Sequence, residues 1–172
     1  EVSIIKRYVL SVLVENHSGV LSKVAGLFSR RGYNIHSLTV GITGDPTISR
    51  MTIVSLGDDY IFEQISKQLN KLIEVIKVTD LTDVPAVYRE LCLVKVSANS
   101  KYKLLIMEIV NTFRGNIVDM DEKSLTIEIT GDEKKISAFL GIMKYYGIKK
   151  IVRTGLTAIQ RGNKLEDNVG VK

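Results

Sequence analysis

Apolar positions along this chain recur with two periods, every second residue in some stretches and about every 3.6 residues in others, and these stretches alternate. Residues 8–14 form an apolar run typical of a strand, and a helical stripe follows it. The stripe comprises Val20, Leu21, Val24, Leu27 and Phe28. Residues 34–42 and 48–56 then predict a hairpin, residues 61–72 a second helix and residues 75–78 a fourth strand. The order β-α-β-β-α-β is that of the ferredoxin-like fold.

The same order of elements is predicted again in the second half of the chain. Its four strands are predicted at residues 90–96, 116–120, 124–130 and 148–159. One helix is predicted over residues 101–113 and another after Asp132, a residue type that commonly caps helices. The repetition predicts an α+β chain of two tandem ferredoxin-like units.

The expected domain limits follow from this repetition. Residues 1–81 form the first domain and residues 89–159 the second. Residues 82–88 contain Pro and polar residues and are expected to be a linker. Residues 160–172 show no periodicity, which predicts a flexible tail.

Composition narrows the class of protein. The chain has 172 residues, 45% hydrophobic and 25% charged, as in ordinary folded domains. Cys92 is the single cysteine, so a disulfide framework is excluded and a cytoplasmic protein with a buried, inert thiol is expected. No apolar run reaches the roughly 20 residues that a membrane helix needs, and a secretory signal pattern is lacking at the start. Neither a membrane nor a signal peptide is expected.

The net charge of +5 lies mainly in the second half, at residues such as Lys149, Lys150 and Arg153. Nucleic-acid binding would require stacking aromatic residues among these cations. Trp is absent, and the central strands of the first domain carry Val, Leu and Thr instead. We therefore expect no nucleic-acid partner.

The turn between the first strand and the first helix is the candidate binding site. A helix start offers unpaired backbone N–H groups, and Gly19 lets a ligand approach those of Gly19, Val20 and Leu21 closely. Asn16 supplies both a hydrogen-bond donor and an acceptor. The turn has no Lys or Arg, which disfavours a phosphate, and hence an acylphosphatase-like enzyme, and suits a zwitterion. The alternative from the residues alone is that Asn16 or Ser18 only caps the helix.

Other polar residues have simpler explanations. Asn34 enters the second strand, where a turn residue is common. His17 and His36 flank the candidate site, but a metal centre usually needs three or four ligands. An acidic group near a predicted hairpin tip, Asp119, Asp121 and Glu122, lacks the spacing of a calcium loop. No catalytic or metal-ligating residues are predicted.

Several segments resemble one known family, the regulatory (small) subunits of acetolactate synthase, whose first domain is an ACT domain. The similar segments are residues 11–21 (SVLVENHSGVL), 26–35 (GLFSRRGYNI), 37–40 (SLTV) and 49–53 (SRMTI), and in the second half residues 93–96 (LVKV) and 113–119 (FRGNIVD). The resemblance therefore extends over most of the chain.

The resemblance implies a non-catalytic subunit that activates a separate catalytic subunit and makes it sensitive to feedback by valine in branched-chain amino-acid biosynthesis. It implies no cofactor in this chain and a partner that carries thiamine diphosphate, magnesium and FAD. It also implies a homodimer through the ACT domains, with valine or a related amino acid at the interface. The matching ligand positions are Asn16, Gly19, Val20 and Leu21 of one protomer and Asn34 and Ile35 of the other. The alternative is an ACT regulator of a different metabolic enzyme.

Overall fold

The structure, a computed structural model, describes residues 5–162, which form two compact units. Unit 1 holds the described residues up to Val87 and those from Leu156 onward, and unit 2 is Tyr88–Gly155. Within residues 5–162 no helix is long and apolar enough to cross a membrane.

Unit 1 has the predicted β-α-β-β-α-β order. Its elements are β1 (Lys6–Glu15), α1 (Val20–Arg30), β2 (Ile35–Ile42), β3 (Ile48–Gly57), α2 (Asp59–Leu69) and β4 (Val75–Asp80). The strands pair in the order β2-β3-β1-β4, with every neighbouring pair antiparallel. This order makes β2 an edge strand, and α1 and α2 pack on one face of the sheet.

The core of unit 1 lies between the sheet and its helices. It consists of alternate residues of β1 and β3, which face the helices, and of the apolar stripes of α1 and α2. The two hydrophobic periods in the sequence predicted this arrangement. The buried members are Leu10, Val12, Val14, Val20, Val24, Leu27, Phe28, Met51, Ile53, Ile65 and Leu69.

The other face of this sheet is also buried. Val9, Ser11 and Leu13 of β1 are 5%, 3% and 1% exposed, and Thr52 and Val54 of β3 are 2% and 0% exposed. Ferredoxin-like RNA-binding domains stack bases on the exposed aromatic residues of this face. The named positions of β1 and β3 on this face are therefore buried and carry no aromatic side chain.

Unit 2 repeats the pattern. Its elements are β5 (Ala86–Ser97, which begins in unit 1), α3 (Lys103–Thr112), β6 (Asn116–Met120), β7 (Ser124–Gly131), α4 (Glu133–Met143), a 3-10 turn (Lys144–Tyr146) and β8 (Ile148–Arg153). The strand order is β6-β7-β5-β8. Asp132 caps α4 as predicted, because its carboxylate accepts a hydrogen bond of 2.9 Å from the backbone N–H of Lys135. The two α+β units confirm the predicted fold class.

The structure differs from the prediction at the two places where the chain passes from one unit to the other. The last predicted strand, residues 148–159, is two strands, β8 and β9 (Thr157–Gln160), because the chain turns at Gly155, whose φ is 90°. The contacts group Leu156 and β9 with unit 1, whereas they were predicted within the second domain. Strand β5 starts at Ala86, inside the predicted linker. Most of the predicted tail, residues 163–172, lies outside the described residues.

Candidate ligand-binding site

The turn predicted to bind a ligand joins the end of β1 to the start of α1. The backbone N–H of Asn16 donates to the carbonyl of Thr47 at 2.7 Å, which extends the sheet by one residue. Gly19 then adopts φ 90° and ψ −17°, a left-handed conformation that favours glycine, and the helix begins at Val20. All four predicted residues of this half, Asn16 to Leu21, therefore lie within one exposed turn, with Val20 buried beneath it.

The first turn of α1 has unsatisfied amides. Among residues 5–162, no side chain caps the helix, so the capping alternative for Asn16 and Ser18 is wrong. The Val20 N–H makes a long contact of 3.5 Å with the carbonyl of His17, and the first ordinary helical bond goes from Lys23 to Gly19 at 3.0 Å. In residues 5–162, nothing accepts a hydrogen bond from the amides of Gly19, Leu21 and Ser22.

The amides that are free in the structure differ from those that the sequence predicted, which were the amides of Gly19, Val20 and Leu21. The Val20 amide is partly occupied, whereas that of Ser22 is free and was missed by the sequence analysis. A signal for Ser22 was available, because once Gly19 occupies the N-cap position, Leu21 and Ser22 are the next unpaired donors. The three free amides and the helix dipole form a weakly positive site suited to a single carboxylate.

A hydrogen bond from its carboxamide group fixes the orientation of the Asn16 side chain. Its Nδ2 donates to the carbonyl of Pro46 at 2.8 Å, and this contact identifies which end of the carboxamide is the amino group. Its Oδ1 accepts no hydrogen bond from any described residue. The sequence left both a donor and an acceptor role open for Asn16, and the structure leaves an acceptor facing solvent, which suits an ammonium group.

Both ring nitrogens of His17 contact neighbouring oxygen atoms. Its Nε2 lies 2.9 Å from Oε2 of Glu15, and its Nδ1 lies 3.1 Å from the carbonyl of Ser18. These two contacts, the one to Ser18 first, raise the pKa of His17. Both ring nitrogens are thus engaged, and the described part of the chain holds no group of three or more His, Cys, Asp or Glu side chains placed to bind a metal ion.

The nearest cation on the helix is already paired. Lys23 forms an ion pair with Glu74, whose side chain is 14% exposed, and this contact is the main reason that the pKa of Glu74 is lowered. The turn therefore attracts anions mainly through backbone amides. A monoanionic carboxylate fits this arrangement better than a phosphate, which usually also recruits Lys or Arg.

The second half of the predicted site lies at the other end of the same sheet. Ile35 and Tyr8 both face Ser55, so the start of β2 is level with the start of β1. Asn16 follows Tyr8 by eight positions, which corresponds to roughly 26 Å along a strand. A single chain therefore does not bring Asn34 and Ile35 to Asn16.

The edge that carries this second half is open and apolar. Among the described residues, β2 pairs with β3 alone. Val40 and Ile42 are 47% and 65% exposed, and Val40 lies on the helix side of the sheet because it faces the buried Met51. Leu21, at the start of α1, is 46% exposed.

Both domains of the chain are similar to domains of known proteins. Residues 10–77 match the family model of the "AHAS small subunit-like ACT domain", and residues 89–162 match that of the "Small subunit of acetolactate synthase". The chain is 55% identical over 158 residues to a probable acetolactate synthase small subunit of Archaeoglobus fulgidus, with 92% of this chain and 99% of that protein covered. The chain belongs to the family of acetolactate synthase small subunits.

Further relatives agree with this assignment. A probable acetolactate synthase small subunit of Methanothermobacter thermautotrophicus is 53% identical over 91% of this chain and 94% of its own length. The crystal structure of the acetolactate synthase small subunit from Thermotoga maritima superposes with a TM-score of 0.86 at 43% identity, covering 92% of this chain and 99% of that one. The family resemblance seen in the sequence is thus confirmed, and the chain is a regulatory rather than a catalytic subunit.

Proposed function

We propose that this small subunit binds valine, or a related branched-chain amino acid, at an interface between two ACT domains and thereby regulates an acetolactate synthase catalytic subunit. The observation that carries the proposal is the turn at the start of α1, which holds both the free amides and the free Oδ1 of Asn16. This pairing matches the two charges of an amino acid.

Each part of the ligand has a partner of suitable chemistry. The carboxylate accepts hydrogen bonds from the amides of Gly19, Leu21 and Ser22. The ammonium group donates to Oδ1 of Asn16 and to Asn34 of a second copy. The exposed side chain of Leu21 and Ile35 of that second copy cover the aliphatic side chain.

A second copy is needed because Asn16 and Asn34 of one chain lie at opposite ends of the sheet. Two β2 edges that pair antiparallel about a two-fold axis bring the start of one β2 toward the end of the other. Such pairing also covers Val40 and Ile42, the exposed apolar residues of that edge.

Feedback follows if valine binds one assembly state better than another, because a ligand with equal affinity for both shifts nothing. A ligand that contacts two protomers favours the paired state directly. We propose that the catalytic partner, which in this scheme carries thiamine diphosphate, magnesium and FAD, is activated by this subunit and is inhibited when valine binds. A cytoplasmic location is proposed with it.

Mixing two variants tests the shared site. Asn16→Ala and Asn34→Ala are each expected to weaken valine binding, as measured by calorimetry. In a mixed dimer of the two variants, one site carries both substitutions and the other carries neither. Random exchange of protomers should therefore restore wild-type affinity to about a quarter of all sites. If the mixture binds no better than either variant alone, the site does not lie between protomers.

A second titration identifies the partner. Valine is added to the purified catalytic subunit of acetolactate synthase with and without this chain, and product formation is measured. We expect activation by the chain and valine inhibition only in its presence. Valine binding to the chain, together with no effect on that enzyme, would favour the alternative of an ACT regulator of a different metabolic enzyme, which a pull-down would then identify.

A further inference from the structure

Two hydroxyl groups of β2 hold the segment that returns to unit 1. The backbone N–H of Leu156 donates to Oγ of Ser37 at 2.9 Å, and Oγ1 of Thr39 donates to the carbonyl of Leu156 at 2.9 Å. Both backbone groups of Leu156 are thus satisfied by side chains, and Leu156 is 3% exposed. We call these two hydrogen bonds the hydroxyl clamp.

In the part of the chain that the structure describes, the clamp leaves the outer edge of β2 without a strand partner. A returning segment that formed an ordinary strand pair with β2 would use the backbone N–H and C=O groups of that edge. Because Ser37 and Thr39 supply side-chain groups instead, the same strand can hold Leu156 and still offer its backbone edge to another chain.

Just before the clamp, the same segment is held within unit 2. The backbone N–H of Thr154 donates to the carbonyl of Leu91 at 3.0 Å. In return, the N–H of Leu91 donates to Oγ1 of Thr154 at 3.1 Å. Only Gly155 lies between this pair of bonds and the clamp, and its φ is 90°.

The tether between the two anchors is therefore short. Two peptide units span at most about 7 Å, so Leu156 cannot move beyond that distance from Thr154. A displacement of β2 that keeps the clamp therefore pulls on Thr154 and, through its two hydrogen bonds, on the backbone of Leu91.

We infer that Ser37 and Thr39 are positioning residues that transmit the ligand-bound state of β2 to unit 2 through Leu156. This inference rests on the proposed function, in which valine and a second copy act on β2. The coupling runs through contiguous hydrogen bonds and covalent chain, and it requires no new contact with the ligand.

The test uses the full chain and separates ligand binding from transmission. The double variant Ser37→Ala/Thr39→Val removes both hydroxyls at nearly constant shape, and Thr39→Ser keeps the hydroxyl as the matched control. Calorimetry measures valine affinity. Hydrogen exchange with and without valine is followed in peptides from residues 88–97 and 148–155.

In the wild type and in Thr39→Ser, we expect valine to change exchange in these unit 2 peptides by at least about fivefold, the lower end of allosteric coupling. In the double variant, we expect valine affinity within about twofold of wild type and the change in exchange to be lost. If the double variant does not fold, Thr39→Val alone should reduce the change in exchange.

Two results overturn the inference while the proposed function stands. One is wild-type binding of valine with no change in unit 2. The other is a change in unit 2 that persists when the hydroxyls are removed. A wild-type chain that binds no branched-chain amino acid overturns the proposed function itself, and the inference with it.

Discussion

A negative charge placed at Gly19 should oppose the ligand carboxylate directly. Gly19→Asp introduces the charge, and Gly19→Asn introduces a side chain of the same shape without it. A Cβ at this position meets nothing within 4 Å, so the Cβ of neither variant creates a clash. Both share the cost of a left-handed φ of 90°, about 1 kcal/mol, which Asn and Asp tolerate better than most residues. The ratio of their valine affinities therefore isolates the charge.

The size of the effect follows from Coulomb's law. Two carboxylates about 5 Å apart repel by about 3 kcal/mol at the effective dielectric constant of 20 that is typical near a protein surface. In bulk water the same pair repels by about 0.8 kcal/mol. The Asp variant should therefore bind valine between about fourfold and about 150-fold more weakly than the Asn variant. Because the turn is exposed, the ratio should shrink as salt is added.

Calorimetric titration of valine into wild type, Gly19→Asn, Gly19→Asp and Gly19→Ala measures these ratios. Gly19→Ala reports the cost of the backbone conformation alone. Because φ at Gly19 is left-handed, a side chain there does not start from the extended conformation of ordinary N-caps, so self-capping should not block the amides. Equal affinity of the Asn and Asp variants would refute the placement of the carboxylate at the start of α1.

Three further predictions concern stability and reactivity. Burial and the hydrogen bond to Asp59 raise the pKa of Tyr8 to about 12. This stabilisation is complete below the unfolded pKa near 10 and is lost as pH rises through 12. Over that range the free energy of unfolding of wild type, measured with denaturant, should therefore fall more than that of Tyr8→Phe. Cys92 is 0% exposed, and burial raises its pKa, so a thiol reagent should label it only at the rate of unfolding. Glu90→Gln should lower the free energy of unfolding in urea by about 1–2 kcal/mol, because the buried carboxylate pairs with the guanidinium of Arg153, which is itself 38% exposed.

Local signals predicted most of the fold correctly. The apolar stripe placed α1, which ends at Arg30 in the structure. Asp132 marked the start of α4 through the cap that it forms. The turn at Gly155 was missed because a glycine inside an apolar segment is compatible with a continuous strand. The partners of Leu156 are 117 and 119 positions away, a separation that no local period can indicate.

The site was predicted in part. The glycine in the turn after β1 correctly indicated an accessible helix start, but sequence could not decide whether a side chain caps it. That answer depends on the backbone angles of Gly19 and on the contact between Asn16 and Pro46. The assignment of Asn34 to a second protomer came from family resemblance, and the strand register shows only that Asn34 and Asn16 of one chain lie at opposite ends of the sheet.

Because Asn16 and Asn34 lie at opposite ends of one sheet, the proposed site would make the response to ligand depend on the concentration of the chain. If both residues serve one ligand, a free protomer has no complete site, and apparent valine affinity falls once protomers are scarcer than the dimer dissociation constant. Valine in turn stabilises the dimer by mass action. The expression level of the chain would then affect the valine concentration needed for a response as directly as any residue in the turn does.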